Sequence, residues 1–272
     1  MDYRRLGTSG IEVSTVCLGT MMFGGPTPEA QAREIVAHAR DHGVNFIDTA
    51  DVYEHGASER ITGGAIAASR NDWIVATKVG NAMDAMARNN GGLSRRWLLA
   101  ECDASLARLG LDHVDIYYLH YDDHATPLQE TIGAIGDLIR AGKIRYFGVS
   151  NFRGWRIAEV IRVCDDAGVP HPIVCQPYYN LLNRMPEVEI LPACDHYGLG
   201  VVPYSPIARG VLTGKYARNA IPADSRVARN DKRMMETEFR EESFAIAEKL
   251  AAHARATGRT LAALALAWLW AN

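Results

Sequence analysis

Several things are scarce in this sequence, and each shortage excludes a class of protein. Cysteines number five, an odd count, scattered at positions 17, 102, 164, 175 and 194 with no Cys-x-x-Cys pair. That argues against a disulfide framework or a zinc knuckle and fits a reducing cytosol, so a cytoplasmic location is expected. An excess of one charge is missing too. The 29 basic and 32 acidic side chains leave a formal net charge of -3, and no basic run exceeds two residues. Neither nucleic acid nor an acidic membrane is therefore an expected partner. Long apolar runs are also absent. The longest, Leu261 to Ala271, stops well short of the ~20 residues that span a bilayer and reads as a buried helix. Met1-Asp-Tyr-Arg-Arg5 lacks the apolar stretch of a signal peptide. There is no Pro/Ser-rich linker and no break in composition, so the 272 residues, 48% hydrophobic, read as one domain with a large core.

What is present is a repeating unit. Residues 2–16 alternate around Thr8-Ser-Gly10 and suggest a small hairpin, and Val13 to Leu18 reads as the first core strand. Thr27-Pro28 offers a capping hydroxyl and a first-turn proline to a helix that Gly43 stops. Further strands are expected at 45–48, 73–79, 114–120, 144–150, 173–178 and 200–205. Helices are expected at about 58–69, 95–109, 128–141, 154–167, 187–197, 241–257 and 260–271. Strand followed by helix, seven times over, requires parallel strands with crossover helices, and strands apolar on both faces suit a covered sheet.

A doubly wound sheet is disfavoured, because Gly19-Thr-Met-Met-Phe-Gly24 after the first strand lacks the dinucleotide fingerprint. Units of about 30 residues suit a (β/α)8 TIM barrel, here with an N-terminal β-hairpin. Such a barrel closes on eight strands, and seven would leave two unpaired edges. The expectation is therefore one α/β barrel domain over residues 1–272 that lacks its eighth strand and is incomplete at its C-terminus.

In barrels of this kind function gathers at the C-terminal strand ends. Asp48 ends the second strand, with Tyr53 five residues on, and Lys78 lies in the otherwise apolar third strand. His120 ends the fourth, Ser150-Asn151 the fifth, Gln176 lies on the sixth and Tyr204-Ser205-Pro206 end the seventh. A buried ammonium needs a partner, and Asp48 on the neighbouring strand is the obvious one. A tyrosine ordinarily ionises at about pH 10 and becomes a useful proton donor near neutrality only if its phenolate is stabilised. An adjacent Lys78 ammonium does this, with Asp48 orienting it, while His120 can polarise a substrate carbonyl. Singly, each has a plainer reading: a helix-capping Asp, a packed Tyr, a salt bridge that staples two strands, a core histidine. Their convergence at one barrel mouth favours chemistry.

Two other motifs are set aside. Gly210-Val-Leu-Thr-Gly-Lys-Tyr216 approaches a P-loop but has three residues between its glycines and Tyr after Lys. His120-Tyr-Asp-Asp-His124 has metal-like spacing, which makes a barrel metallohydrolase the rival enzyme class. The first strand offers it no ligand and Lys78 would place a cation beside the ion, so no metal is expected.

Asp48, Tyr53, Lys78 and His120 together resemble the catalytic tetrad of the aldo-keto reductase superfamily, in its bacterial and potassium-channel-β-like branch. The supporting stretches are Phe46-Ile-Asp-Thr-Ala50, Val75-Ala-Thr-Lys78, Gly142-Lys-Ile-Arg-Tyr-Phe-Gly-Val-Ser-Asn151, Gln176-Pro-Tyr-Tyr-Asn180 and Tyr204-Ser-Pro-Ile-Ala-Arg-Gly-Val-Leu-Thr-Gly-Lys215. The resemblance runs from about residue 3 to 271. It implies an NADP(H)-dependent oxidoreductase that reduces a small aldehyde or ketone to an alcohol, with Tyr53 as proton donor. It also implies Ser150, Asn151 and Gln176 on the nicotinamide carboxamide and Tyr204 on the ring, with Thr20, Met21 and Asp48 at the nicotinamide end. Ser205, Pro206, Ile207, Arg209 and Gly210 would cover the pyrophosphate, with Lys215 and Arg226 adding charge. The basic residues that grip the adenosine 2′-phosphate in relatives would lie beyond Asn272. Substrate walls would come from Met22, Phe23, a mobile Gly/Asn-rich loop at 80–93, Tyr121 and the insertion 208–240. A redox-sensing subunit that keeps the cofactor but turns over slowly is the alternative. The sequence carries no mark of the oligomeric state.

Overall fold

The computed structural model describes residues 1–84, 86–216, 221–223 and 225–271. Parts of the expected substrate walls, Ala85 in the loop 80–93 and residues 217–220 and 224 in the insertion, lie outside the described residues, as does Asn272. The chain falls into two compact units, Met1–Gln176 with Glu189–Val202, and Pro177–Val188 with the residues from Pro203 onward.

In the first unit, β1 (Tyr3–Arg5) and β2 (Glu12–Ser14) pair antiparallel as the expected hairpin. The single strand expected from Val13 to Leu18 is not formed. Ser14 Oγ donates to Val16 O at 2.6 Å and Thr15 N to Asp2 O at 3.0 Å, which holds Thr15 with the hairpin and lets β3 begin only at Cys17 (Cys17–Gly19). Six parallel strands follow: β4 (Phe46–Asp48), β5 (Ile74–Val79), β6 (Val114–Leu119), β7 (Ile144–Ser150), β8 (Val174–Gln176) and β9 (Gly200–Val201). In the sheet they stand in chain order, β3 to β9, so each connection crosses over through a helix. Those helices are α1 (Glu29–Asp41), α2 (Ala57–Ile66), α3 (Arg95–Leu109), α4 (Leu128–Arg140), α5 (Gly154–Ala167) and α6 (Ile190–Tyr197). The result is a curled wall of the (β/α)8 kind, seven-stranded among the described residues.

Local chemistry sets most boundaries. Ser94 caps α3 by accepting from Trp97 N, and Gly110 ends it at φ +67°. Gly168 ends α5 in the same way. Four expectations shift. Pro28, not Thr27, stands at the start of α1, with no side-chain cap. The helix after β4 ends at Ile66 and tightens to 3-10 turns over Ala67–Asp72, and α6 starts at Ile190 after a 3-10 turn at Met185–Glu187. β9 is far shorter than 200–205, ending at Val201.

Alternation along the strands divides the core into two layers. Ile47, Val75, Tyr117, Phe147 and Val149 face outward onto helix residues such as Leu98, Ile132 and Ile157. Phe46, Ala76, Ile116, Tyr118 and Val174 face inward and are joined by Leu6 and Val13 from the hairpin. The second unit holds α7 (Lys232–Thr237), α8 (Glu241–Ala256) and α9 (Leu261–Ala271) around its own apolar cluster, which includes Val211, Leu212, Met234 and Leu261. Among the described residues no helix is long and apolar enough to cross a membrane.

The approach of α2 to α3 leaves no room for a side chain at Gly63, where a Cβ would stand 1.9 Å from Leu109 O. Backbone yields less readily than a side chain, so Gly63→Ala is expected to destabilise the fold by about 1–3 kcal/mol. Urea unfolding measures this as a lower midpoint at unchanged slope, and a wild-type midpoint would contradict the packing described.

Candidate active site

The register of the parallel ladder brings the strand-end residues together. Asp48 lies opposite Gly19 on one side and Ala76 on the other, and Lys78 lies opposite Tyr118. Beyond Asp48 the chain goes on bonding to β5, with Thr49 N donating to Ala76 O at 2.9 Å and Asp51 N to Lys78 O at 3.2 Å. It then turns sharply. Tyr53 N donates to Ala50 O at 3.2 Å, and Glu54 and His55 take left-handed backbone angles of φ 46° and 53°. Such angles are uncommon for residues other than glycine and cluster where a loop must be aimed. The turn carries the Tyr53 ring back to within 4.9 Å of the Lys78 Nζ.

Lys78 is fully buried, and its ammonium donates to Asp48 Oδ1 and, at 2.8 Å, to Thr49 O, with the Tyr53 ring centroid 4.9 Å away. Burial is the largest influence on this ammonium and works against its charge. The Asp48 carboxylate and Tyr53 together outweigh burial and raise its pKa above the ordinary lysine value. The other Asp48 oxygen accepts from Gln176 Nε2 at 3.1 Å. His120 stands edge-on to Tyr53, with ring centroids 5.9 Å apart and planes at 81°, and its backbone N–H donates to Val79 O at 2.8 Å.

Ser150, Asn151 and Gln176 form a polar chain at the next strand ends. Ser150 Oγ donates to Gln176 O at 2.8 Å, and Asn151 Nδ2 donates to Ser150 Oγ at 3.1 Å and to His120 O at 2.9 Å. Asn151 holds φ +61°. Thr20 is fully buried, its hydroxyl 2.9 Å from Ser58 Oγ and 3.1 Å from Asp48 O, while Met21 is half-buried. The first unit thus gathers Asp48, Tyr53, Lys78, His120, Ser150, Asn151, Gln176 and Thr20 around one rim.

The remaining expected residues belong to the second unit. Tyr204 stacks on Tyr178, with centroids 5.4 Å apart, and its N–H donates to Pro177 O at 3.0 Å. Ser205 (φ 55°), Ala208 (φ 47°) and Arg209 (φ 50°) are left-handed, so strain concentrates in the segment that includes Pro206, Ile207 and Gly210. Arg209 Nε donates to Thr237 Oγ1 at 3.2 Å, and its guanidinium lies 5.5 Å from the Tyr178 ring. Burial, reinforced by Arg233, holds Arg209 below the usual arginine range despite Tyr204. Burial likewise lowers Arg226, where Arg209 and Arg229 add to it and Asp231 opposes it. Lys215 is exposed, with its Nζ 5.3 Å from the Tyr216 ring.

Comparison with known proteins bears directly on this geometry. The aldo/keto reductase family model matches residues 15–272. The chain belongs to that family. A probable voltage-gated potassium channel subunit beta of Arabidopsis thaliana is 39% identical over 278 residues, covering all of this chain and 84% of the relative. L-glyceraldehyde 3-phosphate reductase of Escherichia coli K12 is 34% identical over 99% of this chain and 80% of the relative. Versiconal hemiacetal acetate reductase of Aspergillus parasiticus is 32% identical over 98% of this chain and 85% of the relative.

In this aldo/keto reductase the acidic and imidazole groups at positions 120–124 are taken up as follows. Asp122 meets Arg156 at 2.9 Å and His124 at 3.3 Å, Asp123 accepts from Leu93 N and Thr126, and His120 meets Tyr53. Among the described residues no group of three or more His, Cys, Asp or Glu is placed to hold a metal ion.

Sequence reasoning passed over three features of the site. One is the bond from Gln176 to Asp48. Another is Tyr118, which a two-residue step back from His120 along β6 could have flagged. The third lies behind the strands, where Glu59 is buried, accepts from Thr77 Oγ1 and Arg108 Nε at 2.6 Å each, and shares Arg108 with Glu101. Glu59 follows the Tyr53 turn, and an acidic residue in a buried helical turn is the signal that was available.

Asp51 adjoins this network. It is fully buried, its Oδ1 accepts from Val52 N at 2.6 Å, and its Oδ2 has no hydrogen-bond partner among the described residues. Burial, then the Glu101 and Glu59 carboxylates, push its acid well above the usual range. The native state therefore keeps a proton that the unfolded chain releases above about pH 4, so this residue makes stability fall as pH rises from there. Asp51→Asn keeps the Val52 bond and is expected to remove a downward slope of at most about 1.4 kcal/mol per pH unit. Urea unfolding at a series of pH values reads the slope, and an unchanged slope would mean that Asp51 is ionised in the fold.

Proposed function

We propose that this chain is an NADP(H)-dependent reductase that converts an aldehyde or ketone to the alcohol. The observation that carries the reading is the buried Lys78 ammonium, held by Asp48 with its Nζ 4.9 Å from the Tyr53 ring centroid, and His120 edge-on to the same ring. An ammonium beside a phenol stabilises the phenolate, which makes the phenol a better acid. Burial strengthens that effect, because little solvent screens it. Tyr53 then gives its proton to the oxygen of the reacting carbonyl, and His120 orients and polarises that carbonyl.

Two features suit the cofactor. Ser150, Asn151 and Gln176 present hydroxyl and amide groups fit for a carboxamide, and guanidiniums outnumber carboxylates around Arg209 and Arg226, which suits a pyrophosphate. The bound dihydronicotinamide would supply the hydride to the carbonyl carbon. The five cysteines are free thiols, which suits a cytoplasmic enzyme acting on a small carbonyl compound.

A second reading keeps the cofactor but not the turnover: a redox-sensing subunit. The 39% identity to a protein named as a channel subunit beta supports it. Sustained oxidation of many equivalents of NADPH by a test aldehyde separates a reductase from a protein that stops after one.

Tyr53→Phe is expected to lower kcat by about 10²–10⁴-fold while NADPH affinity, read by fluorescence titration, stays the same. Wild-type turnover in this variant would remove Tyr53 as the proton donor.

A further inference from the structure

The Lys78 ammonium has a second aromatic neighbour. Its Nζ lies 5.8 Å from the ring centroid of Tyr118, its ladder partner on β6, besides 4.9 Å from that of Tyr53. Both distances fall inside the ~6 Å over which a cation is drawn to an aromatic face. Tyr118 is fully buried in the inner layer with Phe46, Ala76, Ile116 and Val174. Space for it is made across the ladder at Gly148, where a Cβ would stand 2.7 Å from Tyr118 Cε1. A side chain at that position would push the ring aside. The Tyr118 hydroxyl finds no hydrogen-bond partner among the described residues. With no hydrogen bond of ordinary length, that hydroxyl reaches the ion pair only by way of Gln176, which also bonds Asp48, so the ring is what the ammonium meets directly.

We infer that Tyr118 is a positioning residue for the proton donor: its ring forms the dry floor that keeps the Lys78 ammonium against Tyr53. The inference rests on the reductase reading and adds a member to the site. Without the ring, the ammonium gains room to sink between the strands or to draw water under it. Either change weakens its hold on the phenolate of Tyr53. A merely structural role for Tyr118 would alter stability and leave the acidity of Tyr53 alone.

The test is an ultraviolet difference titration of the cofactor-free protein, with Tyr53→Phe subtracted in each background so that only Tyr53 is read. Tyr118→Leu is expected to raise the Tyr53 ionisation midpoint by about one pH unit, a tenfold weaker acid. Tyr118→Phe keeps the ring and is expected to leave the midpoint where the wild type has it. Tyr118→Met, which fills similar space without a π face, serves the same purpose should the leucine variant fail to fold. Circular dichroism and thermal melting confirm folding in each. An unmoved midpoint in a folded leucine or methionine variant overturns the inference, as does an equal shift in Tyr118→Phe. If Tyr53 in the wild type already titrates like a free tyrosine, it is the lysine–phenol coupling of the proposed function that fails, and the two failures are thereby told apart.

Discussion

A lysine kept charged inside a barrel wall is the constraint that orders this structure. Taking an ammonium out of water costs several kcal/mol, and the cost is offset only when every N–H is satisfied and an opposite charge is close. Here Asp48 supplies the charge, Thr49 O supplies a second acceptor, and the Tyr53 ring lies against the ammonium. The partners come from β4 and the turn after it, while the lysine comes from β5. One register slip would turn Lys78 towards the helices and leave Asp48 buried without its counter-ion. The ion pair therefore selects the register, and the register sets the distance from the phenol to the imidazole of His120.

Other features follow from that demand. The chain after Asp48 has to leave the ladder late and bend back, which explains the left-handed Glu54 and His55. Asp48 needs a second donor to stay fixed, and Gln176 provides it from the far side. On the helix side, Glu59, Glu101 and Arg108 tie α2 to α3 behind the same turn. Charge is thus buried on both sides of the strands, and in each place an arginine or lysine is matched against carboxylates. Asp51, left over in that matching, takes up a proton instead.

Most of the barrel was legible because it depends on local patterns. α3, β7 and α5 were readable to the residue, since Ser94, Gly110, Gly142 and Gly168 mark their ends and apolar spacing fills their interiors. The family was legible because Asp48, Tyr53, Lys78 and His120 fall at successive strand ends, an order that a core arrangement has no reason to produce. Illegible were features that depend on partners distant in sequence. Val13 alternates like a core strand, yet Asp2 and Ser14 hold the following residue in the hairpin. β9 had the apolar run of a longer strand, yet its ladder stops at Val201. Tyr118 and Gly148 are adjacent only across the ladder, so neither residue announces the other along the chain.

The central claim is that the ion pair sharpens the acidity of Tyr53, and the pH dependence of single-turnover carbonyl reduction tests it most directly. The comparison is between the wild type and a chain carrying both Asp48→Asn and Lys78→Met, which removes the pair without stranding one buried charge. Reduction needs the protonated phenol, so the rate falls as pH rises through the Tyr53 ionisation. The account predicts that the double variant loses at least about 10²-fold at neutral pH and that its high-pH limb moves up by more than about one unit. A limb at the same pH in both proteins would contradict it.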